Sequence, residues 1–111
     1  MTKQYKPIGE CQTVRDLLED PKRWCKGSFA RDAQGEGVSI YNNMACSWCL
    51  VGALEKIYPH LYAVDFRKQL LSAIKNHYKI GEYDIDSISI FNDNVNTTHD
   101  DMLAVITEAG I

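Results

Sequence analysis

Cys46 and Cys49, three positions apart, are the residues of this chain best suited to chemistry. A Cys–His hydrolase needs a thiolate, commonly at a helix N-terminus, a histidine to take its proton, and a polar group to orient that histidine. His99 opens a C-terminal helical pattern, and Asn92 or Asp93 stands upstream as an orienting group. No peptidase or amidase signature surrounds them, and a helix N-terminus disfavours an imidazolium at His99. Small buried thiols and a surface histidine account for the same residues. No residue is therefore assigned as catalytic. A cysteine-dependent hydrolase built on Cys46 or Cys49 with His99 and Asn92 is kept as the alternative.

Other ligand chemistries fit less well. Cys46-x-x-Cys49 has the spacing of half a zinc site, but the second half would have to come from Cys11 and Cys25, which are single and far apart in sequence. Asp84-x-Asp86 opens like a calcium loop, yet the sixth position is Ser89, where glycine is needed, and the twelfth is Val95, where glutamate is needed. No metal and no cofactor is expected. Lys22, Arg23, Lys26 and Arg31 gather near Trp24, but a pI of about 5.5 is far from the footprint of a nucleic-acid binder. No phosphate-cradling glycine loop, dinucleotide fingerprint or serine nucleophile motif is present.

Charge is divided unevenly. The net charge is −3, but residues 80–111 contain seven acids (Glu82, Asp84, Asp86, Asp93, Asp100, Asp101 and Glu108) and no Lys or Arg. Such a segment suits a protein partner with a basic surface, although acids near helix starts also serve the fold. The binding candidates are accordingly Asp84, Asp86, Asp93, Asp100, Asp101 and Arg31. Ala30-Arg31-Asp32 and Asn92-Asp93 line a binding site on one reading. On the other they form a latch, with Arg31 paired to Asp93 and Asn92 capping backbone groups.

These residues need elements to hold them. With 111 residues and 45% hydrophobic content, one domain is expected over residues 1–111, with 1–11 loosely ordered. Thr13 caps a first helix with Val14, Leu17 and Leu18 on its apolar face, and Asp20-Pro21 starts a short turn carrying Trp24 and Cys25. Residues 28–43 read as a loop with an extended piece. The run Met44 to Ile57, capped by Asn43 and stopped by Pro59, is apolar on nearly every side and predicts a buried central helix. Within it Ser47, Gly52 and Ala53 are small enough for a neighbouring backbone to approach, and Gly52 is expected against another helix. A third helix runs from Tyr62 to Tyr78 with Phe66, Leu70, Ala73, Ile74 and Tyr78 as its stripe. Ile88 and Ile90 alternate with Ser87 and Ser89 as in a short strand, before a turn at Phe91-Asn92-Asp93. Thr98-x-x-Asp101 resembles a capping box for a last helix facing inward with Met102, Leu103, Val105, Ile106 and Ala109, closed by Gly110. The fold class is mainly α: a small orthogonal bundle of four to five helices around 44–57, with at most one short strand pair.

No run approaches the roughly 18 apolar residues of a membrane span, and no export signal is visible at the N-terminus. A cytoplasmic setting with four free thiols is the expectation. The phrases Trp24-Cys25-Lys26-Gly27-Ser28-Phe29-Ala30-Arg31-Asp32, Ala45 to Leu54, and Phe91-Asn92-Asp93, with a Thr-capped final helix, resemble a family of small bacterial and phage-associated proteins of unknown function. The likeness runs from Arg15 onward. It implies a compact helical domain in an intracellular setting and carries no catalytic residue, cofactor or substrate. The function expected is a non-enzymatic protein-binding or regulatory module, phage or mobile-element related, acting through the acidic C-terminal third. Oligomeric state is left unassigned.

Overall fold

The computed structural model describes residues 4–58, 60–78 and 85–111, without the side chains of 60, 77, 78 and 85–87. Five α-helices and one two-stranded sheet make up its regular structure, apart from two single 3-10 turns. The mainly α class with one short strand pair is thus what the chain adopts.

Helix α1 (Val14–Leu18) begins where Thr13 accepts a hydrogen bond from the Asp16 N–H at 2.9 Å, and it buries Val14, Leu17 and Leu18. Asp20 caps the 3-10 turn Pro21–Arg23 in the same way. Strand β1 (Ala30–Arg31) pairs antiparallel with β2 (Ser47–Trp48), in the register Ala30↔Trp48 and Arg31↔Ser47. Trp24 flanks the other side of β2 through a parallel bridge to Trp48.

The central helix is shorter than its sequence suggests. Helix α2 runs from Leu50 to Ile57, capped by Cys49 rather than Asn43, and residues 44–49 are not helical. The cause is hydrogen bonding across the sheet: the Cys46 N–H donates to the Arg31 carbonyl at 2.9 Å and the Cys49 N–H to the Phe29 carbonyl at 3.2 Å. A run apolar on every side has no period by which to distinguish helix from strand. What remains helical is the buried centre: Leu50, Val51, Gly52, Ala53 and Leu54 are all inaccessible. A Cβ on Gly52 would lie 2.1 Å from the Phe29 carbonyl oxygen. The backbone that Gly52 admits therefore belongs to the loop entering β1, not to another helix.

Helix α3 (His60–Tyr78) packs on α5, α4 and α2 through Ala63, Leu70, Ala73 and Ile74, with Phe66 half-buried. Residues 85–93 are helical as α4 (Ile85–Asp93), against the expected strand and turn. Ile88, Phe91 and Asn92 are buried while Ile90 is exposed, the i, i+3, i+4 pattern of a helix face. Four alternating residues, Ser87 to Ile90, were too few to establish a period of two. Helix α5 (His99–Ala109) opens on a reciprocal capping box between Thr98 and Asp101. It closes with Gly110 at φ +74°, where the Ile111 N–H reaches the Ile106 carbonyl and buries Ile111 against the core. No helix among the described residues is long and apolar enough to cross a membrane.

Candidate functional site

Three segments meet at the start of α2: the loop from Trp24 to Phe29, the β2–α2 junction, and the last turn of α4. Asn92 joins them from α4 and, with Ser47 of β2, is one of two buried polar residues among the described residues. Its Oδ1 accepts from the Leu50 N–H at 3.1 Å and from the Trp24 indole N–H at 2.7 Å. Its Nδ2 donates to the Cys25 carbonyl at 3.1 Å and to Asp93 Oδ1 at 2.9 Å. One amide thereby satisfies an orphan N–H at the start of α2 and fixes the chain on either side of it.

Asp93 extends this hub. Its Oδ1 accepts from the Gly27 N–H at 3.0 Å while the residue stays exposed. Gly27 sits at φ +79°, a left-handed conformation that favours glycine. Arg31 does not pair with Asp93. Its guanidinium donates to the Lys26 carbonyl at 2.9 and 3.3 Å and to the Gly35 carbonyl at 2.8 Å, clamping two turns. The latch is therefore real for Asn92 and replaced by backbone clamping for Arg31, because the guanidinium finds carbonyls within its own loop. Lys26 is committed likewise, to the carbonyls of Asn94 and Thr97 at 2.5 and 2.8 Å, with its ammonium 5.1 Å from the Trp24 ring centroid.

Between these segments lies a cleft of about 340 Å³, walled by Gly27, Ser28, Phe29, Cys49, Val51, Ser89, Asn92 and Asp93. Phe29 is 59% exposed at its rim. A second cleft of about 390 Å³ shares Phe29 and Val51 and reaches Ile40, Tyr41 and the Glu55–Arg67 ion pair. Gly27, Ser28, Phe29, Val51 and Ser89 were not singled out as site residues from the sequence.

Burial favours the protonated thiol at Cys49 and Cys25. Cys49 Sγ accepts from the Gly52 N–H at 3.3 Å as the cap of α2, and burial pushes its pKa up to about 11. Burial also raises Cys25, whose thiol donates to the Ser28 carbonyl. Cys46 precedes β2 instead of opening a helix, so the helix-dipole argument for its reactivity falls away. His99 is tied elsewhere: its Nε2 lies 2.7 Å from the Leu18 carbonyl, and its ring lies tilted at 52° against Trp24 with the centroids 6.0 Å apart. A carbonyl can only accept, so that nitrogen carries the proton. No hydrogen bond or ring contact joins His99 to Cys46 or Cys49, and Asn92 orients backbone and indole rather than imidazole. All four cysteines are free, and among the described residues no three His, Cys, Asp or Glu side chains converge on a metal position.

The acids are dispersed. Asp93 stands at the cleft, Asp100 is exposed on the first turn of α5, and Asp101 serves the capping box. Asp84 lies outside the described residues, as does the side chain of Asp86.

The chain belongs to the family of unknown function DUF6197, whose model matches residues 4–110. No curated protein and no solved structure matches it.

Proposed function

We propose that this member of the family is a non-catalytic protein-binding module, and that its recognition surface is the mouth of the Asn92–Asp93 cleft. The observation carrying this is the division of labour there. The buried Asn92 amide is occupied with backbone and indole, whereas the Asp93 carboxylate, held through Oδ1, and the apolar Phe29 ring stand exposed beside an open cavity. An apolar wall beside a carboxylate suits the stem and charged head of a Lys or Arg side chain. The acid-rich composition of residues 80–111, with Asp84, Asp86, Asp100 and Asp101 among its acids and no Lys or Arg, favours capture of a basic surface by long-range steering. A bacterial or phage-associated, intracellular process is the setting of this reading.

The test is an NMR titration with short lysine- and arginine-rich peptides and an acidic control. The basic peptides should shift the amides of Gly27, Ser28 and Ser89, with affinity falling several-fold between about 50 and 300 mM salt. Asp93→Asn keeps an oxygen for the Gly27 N–H and should weaken binding; Phe29→Ala should do so as well. Binding indifferent to salt and to both substitutions would place the partner surface elsewhere. Selective labelling of one cysteine by a thiol-directed activity probe, abolished by His99→Ala, would replace this reading with the hydrolase.

A further inference from the structure

Two cysteines follow a bridged pair of tryptophans where β2 passes into α2. Trp24 and Trp48 are partners in a parallel bridge, and the Cys25 N–H donates to the Trp48 carbonyl at 3.1 Å. The next residue on each chain is a cysteine. Neighbouring strands run about 5 Å apart. The register therefore sets the Cα atoms of Cys25 and Cys49 at about that separation, inside the roughly 4.4–6.8 Å that a disulfide spans.

The side chains also share a face. Residues two apart on a strand point the same way, so Cys49 follows Ser47. Cys25 follows the bridged Trp24 as Cys49 follows Trp48, so the parallel register turns it to that face too. Cys49 feels the charge of Cys25, and both feel Asp93. Beyond this point the chains part, and the Asn92 amide takes the place of the next rung, between the Cys25 carbonyl and the Leu50 N–H at 3.1 Å each. The spacing at the cysteines is thus fixed from both ends.

We propose that Cys25 and Cys49 are a reversible dithiol–disulfide pair, a modification site in the wall of the cleft. Glutathione disulfide is the oxidant class considered. One protein thiol gives up its proton, and its sulfur attacks the oxidant, forming a mixed disulfide and expelling one glutathione thiolate. The second protein thiol, deprotonated in turn, attacks the protein sulfur of that mixed disulfide. The Cys25–Cys49 bond forms and the second glutathione thiolate leaves. The two released protons end on the two glutathione thiols, so two protein thiols are oxidised and one glutathione disulfide is reduced. The Cys49 sulfur is then drawn away from the Gly52 N–H it caps, and the cleft wall moves with it. The raised pKa values of both thiols keep the exchange slow near neutrality and make it faster as pH rises.

The experiment incubates folded protein with glutathione disulfide at pH 8 and pH 9, followed by alkylation, intact mass and peptide mapping. The expected product has lost two hydrogens, links the Cys25 and Cys49 peptides, reverts in excess reduced glutathione, and forms about tenfold faster at the higher pH. Cys11→Ser/Cys46→Ser should give the same product, and the parent protein gives the same map should that variant not fold. A cross-link involving Cys11 or Cys46, persistent mixed disulfides without closure, or alkylatable Cys25 and Cys49 after exhaustive treatment would each overturn the pair. The readout is covalent mass, so it stands apart from whether the cleft binds a basic peptide.

Discussion

Asn92 serves four partners with a single amide, and each loses that hydrogen bond if the amide is removed. Asn92→Ala leaves the Leu50 N–H, the Trp24 indole N–H and the Cys25 carbonyl without that partner. Buried unsatisfied groups cost about 1–3 kcal/mol each, partly relieved by water, so a loss of about 3 kcal/mol is expected in urea melts. Asn92→Asp keeps the acceptor but sets a carboxylate against the Cys25 carbonyl and Asp93. It should destabilise at neutral pH and recover as pH falls. Cys49 gives a pH dependence of the same sense in an alkaline window. Its thiol is raised from 9.0 to about 11 in the folded protein, chiefly by burial. A folded-state pKa above the unfolded one means the contribution is complete below about pH 9 and is lost as pH rises through about 11, at most about 2 kcal/mol. Melts at pH 8 and pH 10.5 should show a larger alkaline drop for the parent than for Cys49→Ser.

At the scale of elements, two junctions decide how the helices meet. Gly52 lets the Phe29 carbonyl lie directly on α2, and that carbonyl accepts the Cys49 N–H. Gly52→Ala should therefore push the β1 loop off the helix, at a loss of about 2–3 kcal/mol by denaturant titration, although alanine is the better helix former. The start of α5 rests on Thr98, whose hydroxyl accepts from the Asp101 N–H at 3.1 Å, while Asp101 returns a bond to the Thr98 N–H at 3.0 Å. Thr98→Ala should cost about 1 kcal/mol, and Asp101→Asn less, because its amide oxygen still accepts. Thermal melts of the two variants rank them.

For the molecule as a whole, Trp48 is where sheet, loop and core come together. It is 1% exposed, pairs with Ala30 on one side and Trp24 on the other, and donates its indole N–H to the Ile40 carbonyl at 3.2 Å. Trp48→Ala should remove about 3–5 kcal/mol. The loss should reach α5 as well as the sheet, because Trp24 couples the strand region to His99 and Asn92. Amide exchange that rises together in α2, α4 and α5 would show that coupling; a rise confined to residues 30–48 would show that the sheet opens alone.

The sequence by itself determined the elements whose signals are local. Thr13, Asp20 and Thr98 as caps, Gly110 as terminator, and the stripes of α1, α3 and α5 depend on residues three or four apart, distances over which propensity and periodicity act without help from the rest of the chain. The buried role of Trp48 and Leu50 to Leu54 followed from their uniform apolarity, and the capping role of Asn92 from its type. Only tertiary structure decided that Ser47–Trp48 is strand, since the amides of Cys46 and Cys49 find their acceptors at Phe29 and Arg31, over a dozen residues upstream. It decided likewise that Ile88 to Asn92 is helix, because a four-residue alternation is overruled once Phe91 and Asn92 have a core to face. The cleft, and the pairing of Cys25 with Cys49 beside it, are products of register between distant segments, and register is set by hydrogen bonds between chains that no local pattern records.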